Sequence, residues 1–247
     1  MRGKSIRLSP VRKLVVDLTR LHAPSVPVQR VMNIADLVEA RRGAKERPAW
    51  VAIFAKAYAL LSDEMPLLRL AYVKFPTPHL YEYPITTASI VIERDFGDEM
   101  AVLTLLIRDP GKMSIPEIDR RIREAKEKPV MEIPSFRRMM ELARWPMPLR
   151  RMIWWLGLNV GRQRGNYFGS FGITVYSGLG AESLHPLSPL TATMNYGVIG
   201  EDGEVAVRIM YDHRVFDGSM VARTLERMEQ KLRGEVLSEL RSLPRAG

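Results

Sequence analysis

The chain has 247 residues, 46% of them hydrophobic, enough to bury a sizeable core in one domain or two. It contains no cysteine, which excludes a disulfide framework, a thiol nucleophile and a thiolate metal site. Its formal net charge of +9 points to an acidic partner: nucleic acid, an anionic membrane surface, a phosphorylated coenzyme or an acidic carrier protein. Met1-Arg2-Gly3-Lys4 leads into mixed polar and apolar residues, so no signal peptide is read. No run approaches the roughly 20 apolar residues of a membrane span, and a soluble, cytoplasmic protein is expected.

In chain order, Ser9 and Pro10 supply an N-cap and a first-turn proline. Val11, Leu14, Val15, Leu18 and Leu21 mark the apolar face of a helix reaching about Arg20. Residues 24–36 are extended, with Val26, Val28, Arg30 and Met32 alternating with their neighbours. A short helix over residues 37–42 and a basic loop follow. Residues 48–61 form an apolar helix that ends by Pro66, with Trp50, Ile53, Phe54, Ala57, Tyr58 and Leu61 at helical spacing. Residues 69–75 and 79–83, separated by Pro76 and Pro78, read as a hairpin. Residues 85–93 and 100–107 are stronger strands, split by Phe96-Gly97-Asp98, and a helix starts at Ile115. His22, at a helix end, and His79, in a loop, are given no role.

The segment at about residues 129–168 has a character of its own. Phe136, Met139, Met140 and Leu142 suggest one amphipathic helix; Leu149, Met152, Ile153, Leu156 and Val160 suggest a second that includes Trp154 and Trp155. Pro146 and Pro148 separate them. From Phe136 on, seven arginines, among them Arg137 and Arg164, stand against the single acid Glu141. Such a segment either lies on an anionic membrane surface through residues 137–164, covers a hydrophobic acyl chain, or packs as an added helical hairpin with its arginines in water.

Residues 171–176 read as a strand, and Ser177-Gly178-Leu179-Gly180 as a turn. Residues 187–200 occupy a buried segment; His185, in the loop before it, is structural or indifferent. Glu201-Asp202-Gly203-Glu204 is a hairpin turn into a strand in which Val205, Val207, Ile209 and Tyr211 alternate with other residues. That strand gives way to Asp212-His213, and Asp217-Gly218-Ser219 starts a helix through Val221, Leu225, Met228 and Leu232. His213 alone among the four histidines has an acid on each side, Asp212 and Asp217. A neutral imidazole in such a turn can accept a proton from a thiol or hydroxyl when a neighbour fixes its tautomer.

Asp212-His213-Arg214-Val215-Phe216-Asp217-Gly218 resembles the DHRxxDG signature of the catalytic domain of dihydrolipoamide acyltransferases, the core subunits of 2-oxo acid dehydrogenase complexes; chloramphenicol acetyltransferase carries a related HHxxxDG form. Leu8 to Leu14 resembles that domain's LSxxRK opening, Ile107-Arg108-Asp109 its IRDA-like turn, and Ser177-Gly178-Leu179-Gly180 its SNLG turn, with Gly178 in place of Asn. Ser188-Pro189 stands where the family often has NPP or NAP. The resemblance covers most of the chain except about residues 129–168. It implies an α+β fold, a mixed β-sheet flanked by helices in the chloramphenicol acetyltransferase-like two-layer arrangement, in a single domain over residues 1–247. It further implies a homotrimer with the site between subunits, so that His213, the general base, faces a neighbour's Ser177, the donor to the oxyanion. Asp217 would hold the turn and pair with Arg12. Coenzyme A or its acyl thioester is the implied substrate, with no metal.

With no lipoyl domain or lipoyl attachment site in the chain, a stand-alone acyltransferase is expected, or one that borrows an acyl carrier or lipoyl-bearing partner. The competing class is a non-catalytic trimeric scaffold or membrane-surface binder that keeps the fold. Nucleic-acid binding rests on charge alone, with neither a recognition motif nor a glycine-rich phosphate loop behind it.

Overall fold

A computed structural model describes residues 3–6, 25–96, 99–176, 178, 180–181, 183–186 and 188–245. The first expected helix, with Arg12 and His22, lies outside the described residues, as does Ser177.

Six strands form the main sheet: β2 (Ser25–Asn33), β5 (Thr87–Phe96), β6 (Glu99–Arg108), β7 (Phe171–Ile173), β8 (Ala192–Tyr196) and β9 (Glu204–Asp212). Their order is β2-β9-β8-β7-β5-β6. β7 runs parallel to both β5 and β8, and the other pairs are antiparallel, so the sheet is mixed, as expected. A second, antiparallel sheet places β4 (His79–Glu82) between β1 (Lys4–Ile6) and β3 (Leu70–Val73). The β3–β4 hairpin matches the sequence reading. β1 carries no periodic signal of its own and exists because β4 offers it an edge.

Helix α1 (Ala35–Gly43) leads to α2 (Trp50–Glu64), the centre of the core. Phe54 of α2 stacks on Tyr196 of β8 with centroids 4.3 Å apart, and Tyr58 on Phe171 of β7 at 4.2 Å. α2 is apolar nearly all round because it is buried nearly all round, between the sheet and its neighbouring helices. Those neighbours include α3 (Ile115–Glu127) and α7 (Gly218–Lys231), followed by α8 (Leu237–Ser242) after a turn of π-helix. The one cation in α2, Lys56, is 8% exposed and donates to the carbonyls of Gly111 and Met113, 2.6 Å each. Asp119 of α3 accepts from the Ala49 N–H at 2.7 Å, satisfying a main-chain donor at the start of α2.

Two elements differ from the sequence reading. β7 stops at Ile173, and the segment around residues 187–200 contains a central strand, β8. β8 alternates Ala192, Met194 and Tyr196 with Thr193 and Asn195, and all five are buried. The polar pair is buried because the loop before β8 covers it: Thr193 Oγ1 donates to Ser188 Oγ at 2.7 Å, and Asn195 Nδ2 to the Ser183 carbonyl.

The arginine-rich segment is three helices instead of two: α4 (Pro134–Ala143), α5 (Met147–Asn159) and α6 (Gly161–Phe168). Intrinsic propensity argues against α6, which holds two glycines. Tertiary contact overrides it. Gly161 and Gly165 lie against the rings of Tyr81 and Tyr83; a Cβ would sit 2.2 Å from Tyr81 Cγ in one case and 2.8 Å from Tyr83 Cδ1 in the other. Between them Arg164, 6% exposed, donates to the carbonyls of Tyr72, at 2.5 Å, and Pro189. That buried cation fastens the added helices to the small sheet and to the loop before β8. Replacing Arg164 with Met keeps most of the volume but strands two main-chain acceptors, so chemical denaturation should show a loss of about 2–4 kcal/mol.

Candidate functional site

The site is built at the end of β9, whose ladder is held on both sides by β2 and β8. The Asp212 N–H donates to Thr191 O at 2.8 Å, closing the ladder. The next residues turn sharply, since the Asp212 carbonyl accepts from the N–H groups of Val215 (2.9 Å) and Phe216 (3.1 Å). The Asp212 carboxylate is committed to the same turn. Its Oδ1 accepts from Arg214 N and Nε, both at 2.9 Å, and its Oδ2 from Arg214 Nη2 at 2.6 Å. Such a two-pronged, charge-assisted pair fixes geometry as well as adding energy. The guanidinium also lies over the Tyr72 ring, 4.5 Å from its centroid. Burial opposes the Arg214 cation, but the hydrogen bonds and charge of Asp212 outweigh it and raise the pKa.

The sequence offers His213 an acid on each side; the fold gives Asp212 to Arg214. Asp217 remains near the imidazole, its Oδ1 3.9 Å from His213 Nδ1. Nδ1 is shielded from solvent, while 37% of the side chain is exposed. Asp217 is the N-cap residue of α7, with extended backbone angles, and its carbonyl accepts the Val221 N–H at 3.1 Å. Its carboxylate makes no capping hydrogen bond. The Tyr211 ring lies 5.7 Å from the imidazole, tilted by 45°. Burial pushes the Tyr211 hydroxyl pKa up, and the charge of Asp217 adds to the shift, so the phenol stays neutral. A side chain at Gly218 would begin 3.2 Å from that hydroxyl, which is why glycine suits the first turn of α7.

Tyr72 and Tyr211 frame the turn without any sequence signal for it; each reads as an ordinary strand residue. Of the other described histidines, His79 starts β4 and His185 lies in a loop. His185 Nε2 is 3.1 Å from Ser25 Oγ, and His79 Nδ1 is 2.6 Å from Thr77 O. Arg12, the expected partner of Asp217, and Ser177 lie outside the described residues.

Strand direction decides what one chain can bring together. β7 is parallel to β8, and β8 is antiparallel to β9. The chain therefore leaves β7 at the sheet edge opposite the one where β9 delivers His213. The His213 edge also carries the start of β5 and the end of β6, where Thr87 pairs with Arg108. A small cleft there is lined by Tyr83, Thr87, Arg108, Arg162, Asn166 and Ser170, and its two arginines suit an anionic ligand. Among the described residues, no group of three or more histidine or acidic side chains could hold a metal ion.

No sequence-family profile matches the chain, and no curated protein matches it in sequence. Solved structures do match. A probable dihydrolipoamide acetyltransferase from Listeria monocytogenes is 19% identical with a TM-score of 0.61, over 93% of this chain and 94% of that one. The Azotobacter vinelandii dihydrolipoamide acetyltransferase, studied for the role of a serine, a histidine and an asparagine in its catalytic mechanism, is 16% identical with a TM-score of 0.60, over 94% of each chain. A chloramphenicol acetyltransferase is 12% identical with a TM-score of 0.56, over 93% of this chain and 100% of that one. The chain thus has the fold shared by dihydrolipoamide acyltransferase catalytic cores and chloramphenicol acetyltransferase.

Proposed function

We propose that the chain is an acyltransferase, moving an acyl group between coenzyme A, or another carrier thioester, and a thiol or hydroxyl acceptor. The observation that carries this reading is His213, held at the end of β9 by the Asp212–Arg214 clamp with its side chain partly exposed, on an acyltransferase fold. Nε2 takes the proton from the acceptor as its oxygen or sulfur attacks the thioester carbonyl. The carbonyl becomes a tetrahedral oxyanion, to which Ser177 donates a hydrogen bond, an interaction worth roughly 3 kcal/mol in comparable sites. Collapse expels the coenzyme A thiolate, which recovers the proton from the imidazolium. The Asp217 carboxylate stands 3.9 Å from Nδ1, at the first turn of the helix that follows.

The Azotobacter enzyme supports this assignment. Its asparagine lies four positions after its histidine, the place Asp217 holds relative to His213. Its serine lies further ahead of its histidine than Ser177 does here, and the tight turn between β8 and β9 is consistent with a shorter stretch. The resemblance implies a site that draws His213 and Ser177 from two copies of the chain. That favours a homo-oligomer, the trimer being the simplest ring that the resemblance suggests.

Thiol release from acetyl-, butyryl- and palmitoyl-coenzyme A in the presence of acceptors tests the reading. His213→Ala should lower acceptor-dependent release by about 10²–10⁴-fold without loss of thermal stability. Asp212→Asn should lower both activity and stability, because it breaks a largely buried pair. Inertness of every acyl-coenzyme A, or equal activity in wild type and His213→Ala, would leave a non-catalytic scaffold.

Co-expression of His213→Ala with Ser177→Ala tests the shared site. Random assembly of two individually inactive chains should restore about a quarter of the wild-type sites. A site formed within one chain would restore none.

A further inference from the structure

The three added helices carry a surface that acyl transfer leaves unused. α5 meets α6 through its small side: Gly157 is buried, and a Cβ there would begin 3.2 Å from Phe168 Cε2. Its opposite side is apolar and faces solvent. Leu149, Met152 and Leu156 recur at i, i+3 and i+7, with Pro148 and Trp155 beside them, and all five are exposed. Met152 and Trp155 are about half exposed, at 51% and 50%. Phe75, from the turn between β3 and β4, extends the patch. It is itself 50% exposed, its ring meets Trp155 edge-on at 5.8 Å, and its N–H donates to Asn159 O. An amphipathic helix normally turns such a stripe toward its own core. This one turns it outward.

Charge identifies what covers it. Arg144 and Arg151 are exposed, Arg150 is half-buried, and Arg138 stands exposed on α4. Among the described residues none of the four pairs with a carboxylate, whereas Arg137 lies 3.9 Å from Glu141. We propose that this face docks on an anionic lipid bilayer, with the α5 stripe in the headgroup–acyl boundary and the arginines on the lipid phosphates. Exposed Trp and Leu flanked by arginine suit that boundary, where an apolar body and a cationic rim are both satisfied. A second copy of the same face would bring two sets of arginines together. A bound acyl chain would need a groove, and the stripe is open on its outer side.

The test is vesicle flotation of the full chain with phosphatidylcholine alone and with about 30% phosphatidylglycerol added. The wild type should float with the anionic vesicles, with a blue shift of tryptophan emission, and should be released as salt rises toward about 0.5 M. Arg150→Glu with Arg151→Glu should weaken flotation at least about tenfold while circular dichroism and acyl transfer stay unchanged. Trp155→Ser with Leu156→Ser should weaken it at constant charge. His213→Ala should float like the wild type, so the result stands apart from the catalytic reading. The proposal is overturned if the wild type ignores anionic vesicles or binds neutral ones equally well. It is also overturned if the two serines change only the oligomer size in the absence of lipid.

Discussion

Strand direction is the constraint on which the rest depends. β9 is antiparallel to both its neighbours, and β7 is parallel to both of its own. Those pairings fix which end of each strand meets which loop, and so which side chains share an edge. His213, the start of β8 and the Thr87–Arg108 pair share one edge; β7 ends at the other. α2 packs on this arrangement through its stacked aromatic pairs, Phe54 on Tyr196 of β8 and Tyr58 on Phe171 of β7. The chemistry is therefore placed by main-chain pairing, which no single side-chain substitution removes.

Much of this could be read from the residues in order. The strands β5, β6 and β9 and the helices α2 and α7 announce themselves by period, and His213 stands out because its motif sits where a strand gives way to a helix. β8 was hidden for a physical reason. Its threonine and asparagine look solvent-facing until a loop closes over them and supplies their partners. α6 was hidden for the opposite reason: its glycines read as helix breakers, and they are helical because two tyrosine rings occupy the space where Cβ atoms would be. Asp212 was legible as an acid near His213, but its partner was not, since residues at i and i+2 meet only when the turn between them is known.

The distribution of charge is as uneven in space as in sequence. Residues 134–168 hold seven arginines and one glutamate, so most of the excess charge of the chain rides on the helices α4, α5 and α6. In the buried interior of the main body cations are held by fixed partners, as with Lys56 on two carbonyls and Arg214 on one carboxylate. The contrast separates cations that hold the fold together from cations the fold displays.

Tyr72 joins the two regions. Arg164 of the added helices holds its carbonyl, and Arg214 of the His213 turn lies over its ring. The helices α4 to α6 are consequently part of the frame of the His213 turn and cannot be cut away as a module. A shortened chain lacking residues 134–168 would expose the rings of Tyr81 and Tyr83, orphan the Tyr72 and Pro189 carbonyls, and loosen the residue on which Arg214 rests. Any search for a minimal folded core within this sequence has to keep α6 even where it discards α5.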